Sequence, residues 1–204
     1  MTKLISSSSR EEATVSREEV SAMVDIGTEE GTFATTENRI IQNLIKLRSV
    51  KAEDVMTPRV VVATAPEEMK MSDFPLNKHY LHFSRIPVYS GNMENITGFV
   101  YRQDVFENLA NDRFDLTLGQ IRKPILVAPN MQPLTVLWER LLAEKTHISL
   151  IVDEYGGFEG IVTLEDIIET ILGLEIMDER DVAADMQQYA RERWKERVEK
   201  YKHL

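Results

Sequence analysis

The sequence predicts an α+β fold built from two related halves, and three observations carry that expectation. An apolar strand, a glycine turn and a second strand running into a helix occur twice, around Ile86–Asp104 and Ile148–Asp166. The spacings repeat: Val88 to Gly98 and Leu150 to Gly160 are both ten residues, and Gly98 to Asp104 and Gly160 to Asp166 are both six. Copies offset by about 62 residues mark one internal duplication. Each copy is too short to bury its own core well, so the halves are expected to pack through their sheets as a pseudo-dimer with a cleft between them.

The totals set the outer limits. The chain has 204 residues, 43% apolar and 28% charged, which suits a globular fold of one ordinary domain or two small ones. No run approaches the ~20 apolar residues of a spanning helix. No apolar segment of signal-peptide kind follows the N-terminus MTKLISSSSREEA. The absence of Cys excludes disulfides, thiolate metal sites and a Cys nucleophile. A net charge of −10 argues against a nucleic-acid partner, because neutralising phosphates needs a clustered excess of Lys and Arg.

Taken in order, residues 1–15 form a polar, Ser-rich lead that is expected to be flexible. Residues 16–49 form a helical linker arm. Its first helix starts at the cap Ser16, carries Glu18 and Glu19 in its first turn and is expected to stop at Gly27. Its second runs from Thr36 to Leu47, with Ile40, Ile41, Leu44, Ile45 and Leu47 on one face. The first repeat spans 50–112: an extended segment from Arg59 to Ala65, a helix-permissive stretch, the strand Ile86 to Tyr89, a Gly-Asn turn, then Gly98 to Asp104 and a helix. The second repeat, 113–177, follows the same order with a strand from Ile125 to Ala128, a helix from Pro133 to Lys145, the strand Ile148 to Val152 and a Gly156-Gly157 turn. Residues 178–204 are a charged, helix-prone tail, either solvated or partner-binding, with Met186, Tyr189, Trp194 and Val198 as anchors.

The segment GIVTLED, residues 160–166, carries the chemistry. Thr163 falls where a strand gives way to a helix, and there unpaired N–H groups and the helix dipole favour an anion. A hydroxyl at that place can donate to a phosphate oxygen, and Asp166, one turn on, can accept from the two vicinal hydroxyls of a ribose. The same Thr-x-x-Asp spacing is also a helix-capping pattern, and the residues alone leave both readings open.

GIVTLEDIIETILGLEIMDE resembles the end of the second CBS motif of the CNNM/CorC (HlyC-like) family of magnesium and cobalt transport proteins. Asp54-Val-Met-Thr-Pro-Arg59 resembles the start of the first such motif, and Phe83-Ser-Arg-Ile-Pro-Val-Tyr89 its middle. The resemblance covers roughly Ser16 to Asp181. It implies a tandem CBS pair, a pseudo-two-fold Bateman module, that binds adenine nucleotide (ATP or AMP, commonly ATP with Mg2+) between its repeats. It likens Thr163 to the phosphate-contacting position and Asp166 to the ribose-contacting one. It implies a homodimer of CBS pairs, a transmembrane domain as partner and a place on the cytoplasmic face of a membrane, with the arm resembling the family's linker. The first copy departs from the pattern, because Tyr101 stands where Thr or Ser is expected although Asp104 is present; one working site is expected.

Other candidates fall into place around this cleft. Thr57 and Arg59 lie at the entry of the first repeat, and Ser84 and Arg85 precede a strand; each Arg can meet a phosphate or form an ordinary ion pair. His79, His82, His147 and His203 lack metal-site spacing, and magnesium carried by the nucleotide's phosphates is favoured over a protein cage around Asp178-Glu-Arg-Asp181. No Walker loop, nucleophile elbow or Ser/His/Asp order suggests an enzyme. The leading expectation is a regulatory module of a divalent-cation transporter. The alternative is a non-catalytic dimerisation module whose nucleotide site has lapsed.

Overall fold

The computed structural model describes residues 15–174. The expectations for the lead up to residue 14 and for the charged tail fall outside the described residues.

Helix α1 (Arg17–Glu29) opens with a reciprocal cap. The Ser16 hydroxyl accepts the Glu19 N–H at 3.1 Å and the Glu19 carboxylate accepts the Ser16 N–H at 2.7 Å. The helix does not stop at Gly27 as the sequence suggested. It continues to Glu29, and the chain turns away at Gly31, whose φ of +79° suits a residue without Cβ. One interior glycine costs about 1 kcal/mol, which packing readily offsets; Gly27 lies against the Phe33 ring, where a Cβ would come within 2.8 Å.

Helix α2 (Thr35–Lys46) lies antiparallel to α1, with Ser21 bonded to Gln42 and Asp25 to Asn38. A 3-10 turn over Leu47–Ser49 then drives Leu47 fully into the core. Leu44, expected on the same face, remains 48% exposed.

Two sheets follow. The first is three-stranded, in the order β2 (Ala65–Pro66), β3 (Arg85–Tyr89), β4 (Ile96–Tyr101). The second is four-stranded, in the order β1 (Thr57–Pro58), β7 (Phe158–Thr163), β6 (Ile148–Val152), β5 (Leu126–Pro129). In each, a parallel outer pair joins an antiparallel hairpin, and the hairpin's last strand runs directly into a helix: α4 (Arg102–Ala110) or α7 (Leu164–Leu172).

The extended segment expected from Arg59 to Ala65 is mostly a turn. The Val61 N–H donates to the Pro58 carbonyl at 3.0 Å, and strand pairing resumes only at Ala65. The helix-permissive stretch after it forms two 3-10 helices, Met71–Leu76 and Lys78–His82, whereas its counterpart is the regular α6 (Leu134–Ala143). Pro75 inside the first of these has no N–H to sustain an α-helix.

Pairing registers sharpen the duplication. Val88 faces Gly98 and Ile151 faces Gly160, so β3 and β6 are offset by 63 residues while β4 and β7 are offset by 62. The second hairpin is therefore one residue shorter. Each hairpin carries its bulge at the same place, after Val88 or Ile151.

The two cores do not follow chain order. Two short helical hooks, α3 (Ala52–Val55) and α5 (Leu118–Ile121), each open one repeat and pack on the other. The Ala52 N–H donates to the Gln132 carbonyl and the Glu53 N–H to Asn130. In mirror fashion Leu118 donates to Met69 and Gly119 to Glu67. Leu47 and Ala52 accordingly join Leu134, Leu137, Leu141, Ile151, Val162 and Ile167 in one core. Leu118 joins Met71, Phe74, Ile86, Val88 and Val100 in the other.

The second residue after each hook lies beside the last strand of the opposite repeat. Thr57 pairs with Ile161, and Lys123 bridges Phe99. A Cβ at Gly160 would collide with the Thr57 carbonyl, and one at Gly98 with the Lys123 carbonyl. Both glycines of the repeated pattern thus serve close backbone approach. Phe99 and Leu150 alternate with core residues along their strands yet are buried, as two apposed sheet faces require.

Candidate functional site

Thr163 is the last residue of β7 and the N-cap of α7. Its hydroxyl donates to Asp166 Oδ2 at 2.8 Å, its N–H donates to the same oxygen at 2.6 Å, and it accepts the Asp166 N–H at 3.4 Å. The two residues, both half-buried, therefore form a capping box. This arrangement starts the helix and also gathers a hydroxyl, a carboxylate and the positive end of a helix dipole at one point.

Arg85 reaches the same point from the other repeat. It begins β3, its side chain is only 20% exposed, and Nη1 lies 3.4 Å from Glu165 Oε1 in the first turn of α7. Its guanidinium carbon stands 5.8 Å from the centroid of the Tyr101 ring. Its Nε is buried and has no hydrogen-bond partner among the described residues. A guanidinium offers five donors in a planar fork that matches phosphate oxygens, so an unmet buried donor here fits an anionic group. Ser84 precedes it and is exposed; its carbonyl accepts the Arg102 N–H at the start of α4.

Thr57 and Arg59 stand further along β7. Thr57 is opposite Ile161, two residues from Thr163. The Arg59 N–H donates to the Glu159 carbonyl, placing it about 13 Å along the strand from Thr163. The Arg59 guanidinium donates to Glu94 Oε1 at 3.1 Å and to the Phe158 carbonyl at 3.2 Å. Arg85 meets the first turn of α7, which Thr163 and Asp166 cap, whereas Arg59 is directed to the hairpin ends of the sheets.

In the first repeat the equivalent place is arranged differently. Tyr101 occupies the position of Thr163 and gives α4 no side-chain cap. Lys123 Nζ lies 5.0 Å from the centroid of the Tyr101 ring and 3.4 Å from Asp104 Oδ2. The phenol ring is flanked by two cations, and the carboxylate of the motif is paired with one of them.

Sequence reasoning missed Lys123, which lies in the link between repeats and matches no motif. It also gave no role to Glu165. Among the described residues no group of three or more His, Asp or Glu could hold a metal ion, and no helix is long and apolar enough to cross a membrane.

The overall fold is matched by solved structures. The CBS domain of a bacterial CNNM/CorC family Mg2+ transporter is 31% identical, with a TM-score of 0.76 over 81% of this chain and 100% of that one. The chain belongs to this CBS family. The family model for the CBS domain matches residues 118–173. A structure of the CBS domain of the bacterial CNNM/CorC family Mg2+ transporter in complex with ATP is 30% identical, covers 67% of this chain and 97% of that one, and has a TM-score of 0.64. Hemolysin C of Rickettsia prowazekii (strain Madrid E) is 38% identical over 154 residues, 73% of this chain and 49% of that protein. The chain spans about half the length of the curated relatives it matches.

Proposed function

We propose that this CBS pair is a non-catalytic regulatory module that binds one adenine nucleotide, Mg-ATP, between its repeats and controls a divalent-cation transporter. The observation that carries the reading is the meeting of an under-satisfied Arg85 guanidinium from one repeat with Glu165 in the first turn of α7, the helix that Thr163 and Asp166 cap in the other. A nucleotide held there touches both halves. It can therefore shift their relative arrangement, provided it binds one arrangement more tightly.

The roles divide by chemistry. Arg85 and Thr163 meet the phosphates, Asp166 accepts from the ribose, and Ser84 and Thr57 extend the polar lining of the cleft, while Arg59, paired at the hairpin ends, stays outside it. The relative solved with ATP supports adenine nucleotide as the ligand. Magnesium travels with the phosphates and lowers the cost of bringing them beside Glu165 and Asp166. Two such modules associate as a homodimer on the cytoplasmic face of the membrane, coupled through the α1–α2 arm to the transporter's transmembrane domain.

Calorimetric titration with ATP, with and without Mg2+, tests the reading. Saturable binding of one nucleotide per chain, strengthened by Mg2+ and abolished by the double substitution Thr163→Val and Asp166→Ala, is expected. Thr163→Ser, which keeps both hydroxyl and cap, should bind like the parent. The pairing of Thr163 with Asp166 favours one competing reading, a dimerisation platform with an idle cap. No binding by the folded parent would establish that reading instead.

A further inference from the structure

The described charged side chains that bridge the two repeats near the cleft are not equally well satisfied. Arg59 has both a carboxylate and a carbonyl acceptor. Lys123 lies against a carboxylate and an aromatic face. Arg85 has its stem buried, its guanidinium beside the Tyr101 ring, an unpartnered Nε, and a single long contact to the half-exposed Glu165. The stacking partner and the burial fix where the guanidinium stands. The carboxylate that meets it can swing into solvent.

We infer that Glu165 is a built-in competitor for the nucleotide's phosphates: it holds Arg85 in the empty cleft and must yield it when a phosphate arrives. This rests on the nucleotide reading above and adds a residue that sets how strongly the cleft prefers a charged ligand. Two effects act in the same direction. Glu165 occupies a donor that the phosphate needs, and its own charge, one residue from Asp166 in the first turn of α7, repels a polyphosphate. An ion pair of this exposure is weak, so the exchange is easy and the cleft is poised rather than closed. The ring of Tyr101 takes on a role here as well. In the half that lost its own hydroxyl, it supports the arginine that serves the other half.

The test is a set of titrations at fixed Mg2+ with ATP, AMP and adenosine on the parent, Glu165→Gln, Arg85→Gln and the double variant, with thermal melts to establish folding. Glu165→Gln should tighten ATP by about fivefold, tighten AMP less and leave adenosine unchanged, since only phosphate competes. In the Arg85→Gln background the same substitution should change ATP affinity by less than about twofold. If the glutamine variant melts below the assay temperature, Arg85→Lys takes its place, because a lysine lacks the guanidinium fork.

Unchanged or weaker ATP binding by Glu165→Gln, or an equal gain for adenosine, overturns the inference while the nucleotide reading stands. A full gain that persists without Arg85 overturns it too, by reducing Glu165 to a background charge. A folded parent that binds no ATP removes both.

Discussion

Thr163 and Asp166 do two jobs that must be separated by measurement. As a capping box they satisfy N–H groups at the start of α7, and α7 buries Ile167 against the second core. Loss of such a cap costs about 1 kcal/mol. Thr163→Val should therefore lower stability in urea by about 1 kcal/mol, with the slope of the transition unchanged, and Thr163→Ser should recover most of it. A much larger loss would mean that Thr163 carries structure beyond the cap. The stability cost also sets the control for any binding experiment, since the Val variant must be shown folded before its silence counts. Arg85 needs no such separation. Its Nε has no acceptor among the described residues, so its pairing there is incomplete.

At the scale of elements, the cleft depends on how closely β1 approaches β7. Gly160 permits the Thr57 carbonyl to come near, with Met56 Sδ at 3.0 Å from where a Cβ would stand. Gly98 does the same for Lys123 in the first sheet. Gly160→Ala must push the first repeat's leading strand off the second repeat's sheet, and should destabilise the chain by about 1–3 kcal/mol. Gly98→Ala should cost a similar amount, because the backbone carbonyl it meets has no rotamer to retreat into. Equilibrium unfolding of the two variants checks this, and a neutral effect for either would show that the strands can slide apart freely. The repeated Gly-x-x-Thr or Tyr-x-x-Asp pattern was legible from the sequence, but what the glycine was for was not.

Over the whole molecule, the two halves are tied by exchanged hooks and by a few polar bridges. Glu67 in the first repeat accepts from Thr97 at 2.8 Å and from Arg122, in the link to the second repeat, at 2.6 Å. Hydrogen bonds from Ser90 and Thr97, with the nearby Arg122 charge, hold its carboxyl below the ordinary value of 4.5. A lowered folded-state pKa means that the contribution is present above the unfolded value and is lost as pH falls through the folded one. At neutral pH, Glu67→Gln should accordingly lower the melting temperature by a few degrees, and its gap to the parent should narrow on acidification below about pH 4.5. Melting curves of both proteins across that range decide it; a gap that stays constant would assign the effect to packing rather than charge.

How much could be read in advance follows from the range of the forces involved. The two hairpins that run into helices, the cap at Ser16 and the strand-to-helix junction at Thr163 rest on residues within a few positions of one another, and the sequence by itself determined them; the duplication is legible because that local pattern recurs. Helix ends were less legible. Gly27 failed as a stop because the Phe33 ring packs on it, and Leu44 stays exposed while Leu47 is drawn into a core supplied by the second repeat.

Only the tertiary structure decided which repeat each hook serves, that Lys123 stands beside Tyr101, and that Arg85 faces Glu165 across 80 residues of chain. The reason is physical. Local pattern records which face of an element is apolar, whereas the choice of partner is made when two sheets close on each other, and the charges meeting there carry no periodic mark of that encounter.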